Sequence, residues 1–259
     1  MESHSALTLE RQIAAALDWW REAGVDLAFA DEPSGWLNPP ADAAAAGIPP
    51  SANKAKPAGD APPPAPVPRM GGDPGQWPQD LAQFREWWLA EPTLDAGGSA
   101  PRVAPRGNAG ARLMVLVPMP EPEDGERLLA GREGALVGNM LAAMGIGEDA
   151  AYVAAALPRH MAEPDWRALD GEGLGAVLLH HLALARPERL LVLGRNILPL
   201  LGHDPAQSPA AIKETAIQGA AAQMLVPTLA GFAPGRLLEN ARQRALLWRR
   251  WLDWTDGER

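Results

Sequence analysis

The chain has 259 residues, a formal net charge of −9 and no cysteine. The missing thiols exclude disulfides, thiolate zinc sites, cysteine-ligated iron–sulfur clusters and a thiol nucleophile. The acidic balance disfavours broad attraction to nucleic acid but leaves room for a local basic stripe.

Apolar residues make up 47% of the chain, enough for a sizeable core, and no run is long and apolar enough to cross a bilayer. The expectation is a cytoplasmic protein with no membrane partner, no metal and no cofactor. Residues 1–38 are expected to form a helical segment packing on the core. Within it SALTLERQIAAALDWWREA (residues 5–23) predicts a helix: Ser5 or Thr8 caps it, Leu9, Ile13, Ala16, Leu17 and Trp20 share a face, and Gly24 ends it. Trp19 and Trp20 suit a partner-docking surface or, more simply, the buried stripe of an amphipathic helix. Residues 39–78, with DAPPPAPVPRMGGDPG, are too rich in Pro, Ala and Gly to bury much apolar area and predict an unstructured linker. The main domain is expected over 79–259. It begins with a short helix over 79–89 whose apolar residues are Leu81, Phe84, Trp87 and Trp88.

From residue 111 short apolar runs alternate with helical stretches, the pattern of a parallel sheet covered on both faces. The runs are RLMVLV (112–117), AYVAAAL (151–157), RLLVLG (189–194) and QMLVPT (223–228), with helices near 135–144, 173–185 and 196–201 and a last helix after Pro234. The fold class is therefore α/β, a three-layer α/β/α sandwich with a four-stranded parallel sheet. Ligands in such sheets sit at the carboxyl ends of the strands, so the loops at 118–131, 158–165, 194–196 and 229–234 should converge.

Four pieces of this region carry a resemblance. VLVPMPEPEDGERLLAGREGALVGNML holds Glu123-Asp124, Gly131-Arg132, Gly134 and Met140-Leu141; Tyr152 to Ala155 follow as a second strand; ARPERLLVLGR gives a third; and GFAPGRLL leads to Trp248. In this order they resemble the uracil-DNA glycosylase superfamily, most closely its iron–sulfur-containing bacterial and archaeal members, from Ala111 to Trp254. The resemblance implies the same sandwich fold.

The positions that differ are those on which base excision depends. Such an enzyme flips the base out, stacks it on a ring, reads its edge with an amide and stabilises the departing anion. By the family match the water-positioning segment falls at Pro118 to Glu121, with Pro118 and Met119 in place of the family pattern. The stacking phenylalanine falls at Leu129, the base-reading asparagine at Ala155, and the anion-stabilising histidine at Ala233, beside the retained Pro234. The cluster-binding cysteines are absent. Losing one oxyanion donor costs roughly 3–4 kcal/mol of barrier, so losing donor, reader and ring together should leave little activity.

The resemblance implies a catalytically degenerate, glycosylase-like binding or scaffolding module linked to DNA repair or replication. Its partners would be DNA, held weakly, or a repair or replication protein. The alternative is an active but diverged glycosylase hydrolysing the N-glycosidic bond of uracil or another damaged base through Asp124, Glu123 or His160. Each candidate also has an ordinary use: Glu123 and Asp124 in a solvated acidic loop, His160 as a surface residue. Arg236 and Arg242, at the start of the arginine-rich terminal segment, suit either contacts to a DNA backbone or solvation and pairing with acids such as Glu239.

Overall fold

The computed structural model describes residues 11, 13–15, 18, 19, 69–204, 206–211, 213–218 and 223–256. The chain divides into two compact units, Met1–Pro62 and Pro63–Arg259. In the first, residues 11, 13–15, 18 and 19 are helical, inside the helix predicted over 5–23. The rest of that helix, and the predicted linker up to residue 68, lie outside the described residues.

In the second unit, regular packing starts inside the stretch assigned to the linker. Met70 and Trp77 are buried, the Met70 N–H donates to the Glu172 carbonyl at 2.8 Å, and the Trp77 indole N–H donates to the Gly71 carbonyl at 2.7 Å. Gly71 has φ 77°, and a Cβ there would stand 3.0 Å from Val177. A glycine that reads as linker composition is thus a tight turn against the core. Helix α1 (Leu81–Ala90) follows, its N-terminus capped by the Asp80 carboxylate, which accepts from Ala82 N and Gln83 N. Phe84 and Trp88, one turn apart, are its buried residues.

Four strands form where the apolar runs lie: β1 (Leu113–Val117), β2 (Ala151–Ala155), β3 (Leu190–Leu193) and, after a further strand, β5 (Gln223–Gly231). β1 is parallel to β2 and β3, and β3 is parallel to β5. Among the described residues the sheet is mixed and has five strands, where four parallel ones were expected. The addition, β4 (Glu214–Gln218), pairs antiparallel with β5 at the edge, giving the order β2-β1-β3-β5-β4. It alternates buried Thr215 and Ile217 with exposed Glu214 and Ala216, so it lacks the continuous apolar run that marks a strand buried on both faces. The Thr215 and Thr228 hydroxyls satisfy each other at 2.8 Å inside this pair.

Side chains of β1 divide between two cores. Met114 and Leu116 pack with Phe84, Trp88 and the residues of α4 (Leu174–Ala185), which follows the short α3 (Trp166–Gly171). Leu113, Val115 and Val117 pack with Val137 and Leu141 of α2 (Arg132–Ala143), Leu237 of α5 (Pro234–Glu239), and Leu247 and Trp251 of α6 (Ala241–Asp256). The sheet is covered on both faces, an α/β/α arrangement. The helix expected over 196–201 is instead two 3-10 turns, Arg195–Ile197 and Pro199–Leu201. Pro199 has no N–H to donate one turn back, and Gly202, with φ 81°, ends the second turn.

Candidate functional site

The chain runs from β1 to β2 on one side and then to β3 on the other, so the sheet's switch point lies between the carboxyl ends of β1 and β3. That crevice is closed by the first residue after β1. A Cβ at Gly194 would stand 2.6 Å from Pro118 Cγ, so proline and glycine backbone meet where a ligand would otherwise enter.

The loop 118–131 is organised by two buried carboxylates. Asp124 Oδ2 accepts the Glu121 N–H at 2.9 Å and the Leu129 N–H at 2.7 Å, and Oδ1 accepts the Ala130 N–H at 2.8 Å. Glu121 Oε1 accepts the Glu133 N–H at 2.7 Å, and Oε2 those of Gly131 at 2.8 Å and Gly134 at 3.1 Å. The N-cap of α2 is Gly131, which has no side chain to bond the free amides. Glu121 serves instead from the loop, placing a negative charge at the positive end of the helix. Leu129 is held at φ 55°, in the left-handed region, at a strain of about 1–2 kcal/mol offset by its bond to Asp124. Its carbonyl lies where a Cβ on Gly134 would approach to 1.8 Å, so only glycine fits there. Glu123, between these two acids, is exposed.

Glu133 reaches from the first turn of α2 to the loop before α5. It accepts the Gly235 N–H, and burial together with the neighbouring Glu121 carboxylate raises its pKa from the ordinary value. The N-cap of α5, Ala233, makes no side-chain bond, so Glu133 takes that role as well. His160 faces this region, its charge felt at Glu133. Its Nδ1 lies 3.0 Å from the Pro120 carbonyl; a carbonyl only accepts, so Nδ1 is the donor and Nε2 is left over. The structure thus brings His160, Glu133 and Ala233-Pro234-Gly235 together at the strand ends. Glu133 went unnoticed in the sequence, although an acid in a first helical turn beside a glycine cap is a legible sign.

The positions matched to a base pocket are largely core. Pro118, Leu129, Ala155 and Pro234 are buried, and only Met119 and Ala233 are partly exposed. Leu129 and Ala155 belong to the apolar cluster under α2. Among the described residues no group of three acids or histidines is placed to hold a metal ion.

The terminal arginines divide into two sets. Arg244 donates to the carbonyls of Leu237 and Leu238, capping α5, and Arg250 donates to Ala230 O at 2.7 Å. Arg242 is exposed; Arg236 is exposed too, its guanidinium only 3.9 Å from Glu239. Trp251 is buried, with Trp248 and Trp254 packed against the same cluster, and Trp251 meets Trp254 edge to face at 5.5 Å. Of the histidines in the middle of α4, His181 is fully buried and His180 bonds the Pro78 carbonyl at 2.7 Å.

Compared with protein-family models the chain matches none, and no curated protein matches it. Among the described residues no helix is long and apolar enough to cross a membrane.

Proposed function

We propose that this chain is a uracil-DNA-glycosylase-like domain that has lost base excision and acts as a binding or scaffolding module linked to DNA repair or replication. The reading rests on the resemblance from Ala111 to Trp254 and on the α/β frame that carries it. The observation that supports loss of chemistry is the state of Asp124. Three main-chain amides engage its two oxygens and its side chain is buried, so it is committed to the loop as a staple. The positions of ring and reader, Leu129 and Ala155, are packed into the core and present neither an aromatic face nor a hydrogen-bonding group.

The enzymatic alternative, through Asp124, Glu123 or His160, finds most support at the last of these. His160 has a ring nitrogen left over and lies near Glu133, whose carboxyl is biased toward its protonated form. Incubating the protein with single- and double-stranded oligonucleotides carrying uracil, hypoxanthine or xanthine separates the two. The module reading expects no free base. Base release that His160→Ala or Glu133→Gln abolishes would sink it. DNA binding, if this face provides it, weakens with salt and in the Arg236→Ala, Arg242→Ala double variant.

A further inference from the structure

At the carboxyl ends of β3 and β5, beyond the closed crevice, lies a cavity of about 260 Å³. One wall is α6, with Gln243, Leu246, Leu247 and Arg250. The other is the segment Ser208 to Ala210 leading into β4. Arg195, the first residue after the β3 turn, and Phe232 line its mouth. Arg195 lies over the Phe232 ring, 5.1 Å from its centre. Among the described residues no carboxylate lines the cavity, and neither Arg195 nor Arg250 makes an ion pair.

Two guanidiniums facing one space without a counter-charge repel each other. Arg250 registers this: burial first, and then the positive charge of Arg195, lower its pKa from the ordinary value. Arg250 uses one N–H on Ala230 O and keeps the others of its five. Gln243 lines the same cavity beside Arg250, while its Oε1 atom is buried away from it. Leu246, half exposed, and Leu247 supply an apolar surface between the charged and amide groups.

We infer that this cavity binds a small phosphate monoester, its dianionic phosphate held between Arg195 and Arg250 and its organic part against Leu246 and Leu247. The charge of the ligand follows from the two guanidiniums, which a dianion neutralises and bonds in bidentate fashion. Its size follows from the cavity, which lies just under the usual span of ~300–1,000 Å³ for ligand pockets and leaves no room for a dinucleotide. A free small anion is favoured over a nucleic acid strand because a net charge of −9 opposes the approach of a polyanion. The site is separate from Pro118, Leu129, Ala155 and Ala233, so it stands whether or not the domain excises bases.

Isothermal titration of the full chain tests it, with uridine 5′-monophosphate as a small phosphate monoester. Expected are saturable binding that weakens as salt rises, at least ~10-fold weaker binding of uridine, which lacks the phosphate, and at least ~10-fold loss in Arg195→Met, the equivalent of one charge-assisted contact. Arg250 also supports Ala230, so Arg195→Met, at an exposed position, keeps the test independent of folding. No binding at millimolar ligand overturns the proposal, as does equal affinity in wild type and Arg195→Met. Tighter binding of a single-stranded oligothymidylate without a terminal phosphate overturns it in favour of a strand-binding groove.

Discussion

The loop after β1 and the cavity at the end of β5 both gather like charges near strand ends, yet they treat them in opposite ways. In the loop, Asp124 and Glu121 receive six main-chain N–H groups between them. In the cavity, Arg195 and Arg250 share a space that no acid lines among the described residues. Charge bonded by the backbone is architecture: it fixes the path of the chain and is buried away from a ligand. Charge left facing an empty space costs stability that only a binding partner recovers, which is why the second region is the better place to look for function.

The largest expected effect lies in the saturated loop. Asp124→Ala strips acceptors from the N–H groups of Glu121, Leu129 and Ala130, two of those bonds being buried, and removes what holds Leu129 at positive φ. The expected loss is about 3–5 kcal/mol in urea unfolding, the upper range for a broken buried network. Glu123→Ala, next door but exposed, should stay within ~0.5 kcal/mol. Equal, small effects from the two would mean the loop is held some other way. Gly134→Ala is expected to destabilise by at least about 3 kcal/mol, the top of the usual overpacking range, because its Cβ would run into a main-chain carbonyl that cannot swing aside.

Why these roles escape the sequence is a matter of which partners have names. The runs that became β1, β2, β3 and β5 were legible because strands buried on both faces must be apolar throughout. β4 was not, since an edge strand needs only Thr215 and Ile217 on its inner face. Met70 and Trp77 were hidden in a Gly- and Pro-rich stretch whose composition says linker, although two large apolar residues there were enough to dock it. Asp124 was visible as an acid, but its partners are backbone amides, which carry no sequence identity. The resemblance pointed to where ring, reader and donor are missing. It could not tell that Leu129 and Ala155 lie in core packing, nor that Arg195 and Arg250, 55 positions apart in numbering, line one cavity.

Between the two extremes stands a half-satisfied buried pair. The Tyr152 hydroxyl lies 2.8 Å from His181 Nε2, the Arg85 guanidinium stands over the Tyr152 ring, and the Nδ1 of His181 has no partner among the described residues. Burial and then the charge of Arg85 depress His181 to about 3. The unfolded chain takes up a proton near 6.5 that the folded one refuses, so the contribution of His181 is whole above 6.5 and falls by about 1.4 kcal/mol per pH unit from there toward the depressed value. Tyr152 is pushed up to about 12 by burial, and stability should also fall as pH rises from 10 toward that value. Urea midpoints measured from pH 4 to 7 check the acid limb, and His181→Gln should flatten it. A slope unchanged in that variant would assign the acid sensitivity elsewhere.

Glu133 is the acid that blurs the contrast, because it is only half satisfied. Its pKa is raised by burial and by Glu121, so what it adds to stability is present below the usual carboxylate range and lost as pH rises through the raised value. Glu133→Gln keeps an acceptor for the Gly235 N–H and removes the charge, and it should raise the melting temperature at pH 7 while leaving it nearly unchanged at pH 4. Destabilisation at pH 7 would mean the ionised carboxylate is needed to hold the loop before α5.

The smallest expected effect is the most pointed. Arg195 makes no ion pair among the described residues; its guanidinium lies on the face of Phe232, and an exposed cation–π pair contributes only ~0.5–1 kcal/mol. Against that stands its repulsion of Arg250. Arg195→Met keeps an unbranched chain able to cover the Phe232 ring and removes the repulsion, so stability should move by no more than ~0.5 kcal/mol, and upward if the repulsion dominates. A charge whose removal leaves the fold indifferent has no structural duty. If Arg195→Met instead destabilised the protein as much as Asp124→Ala should, the cavity would have to be regarded as architecture like the loop, and the distinction between the two regions would fall.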